Sequence, residues 1–185
     1  MEGKVYLFLA NGLEEIEGLT VVDILRRGKV DIQTVSVEGT KSIEGSHGIK
    51  LEADLTLEEA DLTDGAMYVL PGGMPGTLHL GECEKLTKLL VEADREGRKI
   101  AAICAAPSVL GDLGILEGKE AVCYPGFEER LKGAAIGTKN VVVSKNVITS
   151  RGMGTAIPFA LTLLSVMKDK ETADAVGEGI LYGKL

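Results

Sequence analysis

The stretch Lys99-Ile100-Ala101-Ala102-Ile103-Cys104-Ala105-Ala106-Pro107-Ser108-Val109 decides how this chain folds. Its first half is a short continuous apolar run, the pattern of a strand covered on both faces. Its second half opens a segment, residues 105–113, that reads as a helix. Cys104 stands at the junction, where a sharp strand-to-helix turn would present a side chain above the edge of a sheet. The unpaired N–H groups of the following helix, and their partial positive charge, are expected to favour thiolate over thiol. The small side chains of Ala105 and Ala106 let backbone approach closely. A buried, inert cysteine is the competing reading. Cys83 and Cys123 have no comparable setting in the sequence.

Outward from that junction the alternation repeats. Residues 5–9 and 67–70 are continuous apolar runs, residues 32–37 alternate, and residues 121–124 read as a further short strand. Residues 15–27 place Ile16, Leu19, Val21 or Val22 and Leu25 at helical spacing, with Gly28 as a stop. Residues 83–96, 155–167 and 172–181 read as helices as well. Residues 41–53, polar and broken by Gly45 and Gly48, read as a hairpin excursion, and residues 56–59 as a short capped helical turn. Residues 141–144 and 147–150 flank Lys145-Asn146 as a second hairpin. Strands alternating with helices predict an α/β fold, a mostly parallel sheet with helices on both faces. Nothing divides the 185 residues, which predicts one domain over 1–185 with a sizeable core. In such sheets ligands bind beyond the carboxyl ends of the strands. That rule brings residues 11–17, 72–76, 104–106 and 124–126 to one site.

Composition narrows the function classes. A net charge of −8 disfavours nucleic acid or an anionic membrane as the main partner, since both need clustered Lys and Arg. The only tight basic cluster, Arg26-Arg27 with Lys29, reads as the solvated end of a helix. Three cysteines without a CxxC pair, and two histidines, His47 and His79, make a disulfide scaffold or structural metal site poor readings. Neither a metal nor a cofactor is expected. The apolar run at residues 5–9 is too short for a signal segment, and no stretch reaches the length of a membrane span. The chain reads as soluble and cytoplasmic, where free thiols persist.

Two further groups bear on chemistry. Gly72 and Gly73, directly after a strand, offer amides unobstructed by side chains; with the amide of Ala105 they could form an oxyanion pocket beside the sulfur, although a tight turn explains them equally. Glu17 lies one turn into its helix between Ile16 and Leu19. A carboxyl buried there would hold its proton to a raised pKa and could donate it. Glu14 and Glu15 read as complements to the helix dipole.

Five ordered segments together carry a resemblance: residues 11–17 (NGLEEIE), 23–27 (DILRR), 70–73 (LPGG), 101–105 (AAICA) and 149–155 (TSRGMGT). In order and spacing they resemble the ThiJ/PfpI superfamily, nearest to its DJ-type branch. The resemblance implies a flavodoxin-like three-layer sandwich of the class I glutamine amidotransferase-like kind, and a homodimer, with residues 41–53 and the first helix as candidate interface segments. It implies Cys104 as nucleophile and oxidation-prone thiol, Glu17 as its protonated partner, and amides of Gly73 and Ala105 lining an oxyanion pocket. Where several DJ-type members carry a histidine near the cysteine, this chain has Tyr124, a poor base at neutral pH given a reference pKa of about 10. A histidine partner would have to be His47 or His79, from the same or a second subunit. In the protease branch a histidine follows the cysteine directly; Ala105 stands there, which argues against peptidase activity. The implied activities are glutathione-independent glyoxalase or deglycase chemistry on small carbonyl substrates. Redox sensing and chaperone-like protection through a Cys104 sulfinic acid are the alternative. A small-anion or nucleotide module is weaker, because Gly152-Met153-Gly154 lacks the third glycine of a dinucleotide fingerprint.

Overall fold

Alternate residues of the first strand, β1 (Lys4–Leu9), face opposite ways and sort the interior into two halves. Val5, Leu7 and Leu9 belong to one apolar cluster, Tyr6 and Phe8 to the other. The strand is thus covered on both faces, as its continuous apolar run requires.

The computed structural model describes residues 3–183. After β1 come α1 (Glu15–Arg27), β2 (Ile32–Ser36), β3 (Ser42–Glu44), β4 (Lys50–Glu52), β5 (Leu55–Thr56) and β6 (Gly65–Leu70). Then follow α2 (Gly76–Glu82), α3 (Glu84–Arg95), β7 (Lys99–Ile103), α4 (Pro107–Asp112), β8 (Glu120–Ala121) and β9 (Ala135–Ile136). β10 (Val141–Ser144), β11 (Val147–Ser150), α5 (Ala156–Met167) and α6 (Lys170–Gly179) complete the described chain. Seven strands form the main sheet in the order β10-β11-β7-β6-β1-β2-β5, parallel throughout except for the β10–β11 hairpin. Ile24 and Leu25 of α1, Phe159 and Leu163 of α5 and Ala173 of α6 fill one face. Leu80 of α2, Leu86 and Leu90 of α3 and Leu110 of α4 fill the other. This is the three-layer, flavodoxin-like arrangement expected.

The connections run one way from β1 to β2 and the other way to β6, so a crevice opens between the carboxyl ends of β1 and β6. Two segments depart from expectation there. Residues 76–82 form α2, which the sequence pattern did not announce: it has seven residues and buries only Gly76, Thr77 and Leu80. Residues 121–124 do not form a strand as a whole, since the strand stops at Ala121. The Val122 amide donates instead to the Thr149 hydroxyl (3.0 Å), and the Tyr124 amide to the Cys104 carbonyl (2.8 Å). The segment crosses the strand ends rather than joining the ladder. The expected cap at residues 56–59 is present, with the Thr56 amide donating to Glu59 Oε2 (2.9 Å), but it closes a turn and not a helix. Among the described residues, no helix is long and apolar enough to cross a membrane.

Candidate active site

Cys104 has φ 65°, a left-handed conformation that an L side chain adopts only when its surroundings hold it there. Two hydrogen bonds do so. The Cys104 amide donates to the Ser150 carbonyl at the end of β11 (3.0 Å), and its own carbonyl accepts from Tyr124 N–H (2.8 Å). The elbow therefore exists because β7 lies beside β11 in a register that pairs Ile103 with Ser150. Residues 104–106 form the turn, and α4 starts only at Pro107.

Glu17 reaches the elbow from α1 and is completely buried. Its Oε2 accepts from the Gly72 amide (2.9 Å), while Oε1 has no partner of hydrogen-bonding geometry. The carboxyl faces the Cys104 thiol. Gly72 has no room for a side chain: a Cβ would lie 2.5 Å from Cys104 Cβ and 2.6 Å from Glu17 Oε2. Gly73, at φ 91°, is equally confined, since a Cβ would lie 2.1 Å from the Glu14 nitrogen. With the Gly72 amide committed to Glu17, the two amides that hydrogen-bond the sulfur are those of Gly73 and Ala105.

Burial pushes the Glu17 carboxyl up to about 7. Burial, and then the adjacent Glu17 charge, push the Cys104 thiol up to about 12, against the pull of the two amides. The depressed thiol expected from the helix N-terminus is not what the site holds, because desolvation and a neighbouring anion outweigh two backbone dipoles. Carboxylate and thiolate oppose each other, so the pair keeps at least one proton between them through neutral pH.

The pair lies in a cavity of about 470 Å³, walled by Glu14, Tyr124, Asn140, Arg151 and residues 152–155. Tyr124 is half exposed, and its ring packs against Gly152, where a Cβ would come within 3.2 Å of Cδ2. Neither histidine lines this cavity. His47 Nδ1 lies 2.9 Å from Glu15 Oε2 and 3.6 Å from Glu14 Oε2; His79 Nδ1 lies 3.3 Å from Glu38 Oε1. Against burial, hydrogen bonds from the His47 side chain and backbone hold Glu15 at about 2, and Glu15 in turn raises His47. Glu15 is thus more than a dipole complement, since it ties the β3–β4 turn to α1. Glu14, Glu15 and His47 gather three potential ligand atoms within 4.8 Å of one another, but those of Glu15 and His47 already engage each other. Sequence reasoning gave no role to Asn140 or Arg151. Arg151 directly follows a strand, so the rule of carboxyl ends could have found it; Asn140 precedes its strand and carries no such signal.

A parallel α/β sandwich with a strained cysteine elbow one strand beyond its topological switch point, faced by a buried carboxyl, defines a narrow class of proteins. The DJ-1/PfpI family model matches residues 3–166, and the chain belongs to that family. It is 41% identical over 174 residues to Protein DJ-1 homolog B of Arabidopsis thaliana, with 92% of this chain aligned but only 39% of the plant protein spanned. It is 31% identical over 173 residues to the glutathione-independent glyoxalase DJR-1.2 of Caenorhabditis elegans, covering 92% of this chain and 91% of that one. Among solved structures, oxidized Toxoplasma gondii DJ-1 superimposes with a TM-score of 0.94 at 36% identity, covering 98% of this chain and 100% of its own.

The raised Glu17 pKa makes folding stability pH-dependent. The folded carboxyl binds its proton up to about 7, above the unfolded model value of 4.5. The stability conferred by the protonated group is fully present below the unfolded value and is lost as pH rises through the folded one. Urea denaturation of the wild type and Glu17→Gln from pH 4 to 8 should give a difference curve that falls by about 3 kcal/mol across that window. A flat difference curve would mean that Glu17 is not desolvated.

Proposed function

We propose that this protein is a DJ-type enzyme acting on small 1,2-dicarbonyls or their adducts, with Cys104 as nucleophile and Glu17 as proton carrier. The observation that carries the reading is the buried Glu17–Cys104 pair with the Gly73 and Ala105 amides at the sulfur. The Cys104 thiolate adds to the aldehyde carbon; the C–S bond forms as the carbonyl π pair moves onto oxygen, held by the two amides and protonated by Glu17. The Glu17 carboxylate then takes the proton from the sulfur-bearing carbon and returns it to the neighbouring carbon, while the hydroxyl proton passes to the neighbouring oxygen. The resulting 2-hydroxy thioester is cleaved by water, which restores the thiol and frees a 2-hydroxy acid. The C. elegans relative bears the name of a glyoxalase, in keeping with this chemistry. Tyr124 and His47 remain accessory candidates, Tyr124 as a cavity wall and His47 one carboxylate away through Glu14. A protein that depends on a reduced Cys104 suits the cytoplasm. Steady-state consumption of methylglyoxal should be abolished in Cys104→Ser and fall at least about a hundredfold in Glu17→Leu, the usual scale of acid–base catalysis. Undiminished turnover in Cys104→Ser would sink the assignment.

A second reading, redox sensing, draws on the same donor. Two equivalents of peroxide each transfer one oxygen to sulfur and leave as water, giving a sulfinate to which protonated Glu17 can donate. Peptide mass spectrometry across a peroxide titration should find Cys104 sulfinate persisting in the wild type. In Glu17→Leu, sulfonate should accumulate instead, and equal sulfinate lifetimes would remove Glu17 from this role.

We also propose a homodimer. α1 exposes Ile16 (49%) and Leu19 (45%), and the hairpin tied to it through Glu15 exposes Ile49 (52%) beside β4. Light scattering at micromolar concentration should give twice the chain mass of 19.5 kDa. A mass near the single-chain value would rule the assembly out.

A further inference from the structure

One wall of the Cys104 cavity carries donors that no group among the described residues uses. The backbone leaves β11 at Ser150, passes Arg151 and Gly152, and turns through a single 3₁₀ turn (Met153–Thr155) into α5. Thr155 stiffens this turn: its hydroxyl meets Ser150 Oγ at 2.7 Å, and the Gly152 amide donates to it at 3.1 Å. The Met153 and Gly154 amides, by contrast, donate to no group among the described residues. Arg26, Arg27, Arg98 and Arg130 each hold an acidic partner, whereas Arg151 makes neither an ion pair nor a hydrogen bond among the described residues. Arg95, also unpaired, sits on α3 in a separate surface recess. The floor carries the reacting groups, since the wholly buried Glu17 carboxyl and the Cys104 thiol it faces both line the same cavity. The field of Arg151 reaches into the wall. Burial and Glu128 push Cys123 up to about 11, while a hydrogen bond from the Phe127 backbone and then the Arg151 charge pull it down.

An unpaired guanidinium and two free amides on the wall, and an acid beside a nucleophile on the floor, match a ligand with an anion at one end and a carbonyl at the other. A neutral dicarbonyl has no use for the cation. Guanidinium binds carboxylate through two parallel hydrogen bonds, and the two free amides of the 3₁₀ turn that precedes α5 add to it. The cavity volume, about 470 Å³, suits a small molecule. We propose that Arg151, with the Met153 and Gly154 amides, is the specificity element of this cavity and selects small carbonyl compounds that carry a carboxylate beside the reacting carbon. This rests on the reading of Cys104 as nucleophile.

Iodoacetate and iodoacetamide test it without need of turnover. They differ only in carboxylate against carboxamide; with either, the Cys104 thiolate forms the S–C bond as C–I breaks and iodide departs. The ratio of the two alkylation rate constants at Cys104, read by peptide mass spectrometry, reports how strongly the cavity prefers the anion. Arg151→Gln should lower the ratio about three- to tenfold, and Arg151→Lys, which keeps the charge but not the fork, should lower it less. Arg95→Gln removes the same net charge elsewhere and should leave the ratio at the wild-type value. An unchanged ratio in Arg151→Gln, or an equal fall in Arg95→Gln, would overturn the proposal. The iodoacetamide arm alone tests the underlying reading: alkylation of Cys83 or Cys123 ahead of Cys104 would overturn the nucleophile assignment, whatever the ratio.

Discussion

A carboxyl shut away from water against a thiol is the constraint around which this site is built. Neither group can carry charge in that setting without a large desolvation cost, and two adjacent negative charges would cost more still. Backbone amides supply the compensation, Gly72 to the Glu17 carboxyl and Gly73 and Ala105 to the sulfur. These amides come from the ends of β6 and β7, and the carboxyl from α1, so the pair exists only where three elements converge. Gly72 shows how tight the convergence is, since even a methyl group there would collide with both partners.

The same crowding accounts for the backbone of Cys104. A left-handed non-glycine residue costs on the order of 1–3 kcal/mol and persists only when over-determined. Here β11 accepts from its amide and residue 124 donates to its carbonyl. The second of these bonds also places Tyr124 on the cavity wall, so one interaction both strains Cys104 and shapes the space above it. The loops that close the crevice are stitched in the same way, with the Glu14 amide donating to the Gly72 carbonyl (2.9 Å) and the Gly76 amide to that of Gly12 (3.2 Å).

Much of the architecture was legible because hydrophobic periodicity is a local property. The helix Glu15–Arg27, the strand Lys99–Ile103 and the hairpin strands Val141–Ser144 and Val147–Ser150 have the limits their patterns predict. The departures fall where long-range bonds compete with local preference. Residues 122–124 have the composition of a strand, yet Thr149 and Cys104 take their amides. Residues 76–82 have too few apolar positions for periodicity to register, and α2 forms where the glycine-rich loop packs against residues 12–13.

The sequence by itself determined the layered fold, the elbow at Cys104, the glycines beside it and, through the spacing of its motifs, the family. It also singled out Glu17, but through the resemblance of its motif, since the apolar positions flanking it, Ile16 and Leu19, are exposed in the structure. Only the tertiary structure decided the protonation state of the pair, the commitment of the Gly72 amide to Glu17, the tie of His47 to Glu15 and the unpaired state of Arg151. The physical reason is common to all four. Desolvation, charge pairing and hydrogen-bond satisfaction depend on what lies within a few ångströms in space, and those neighbours come from residues distant in the chain.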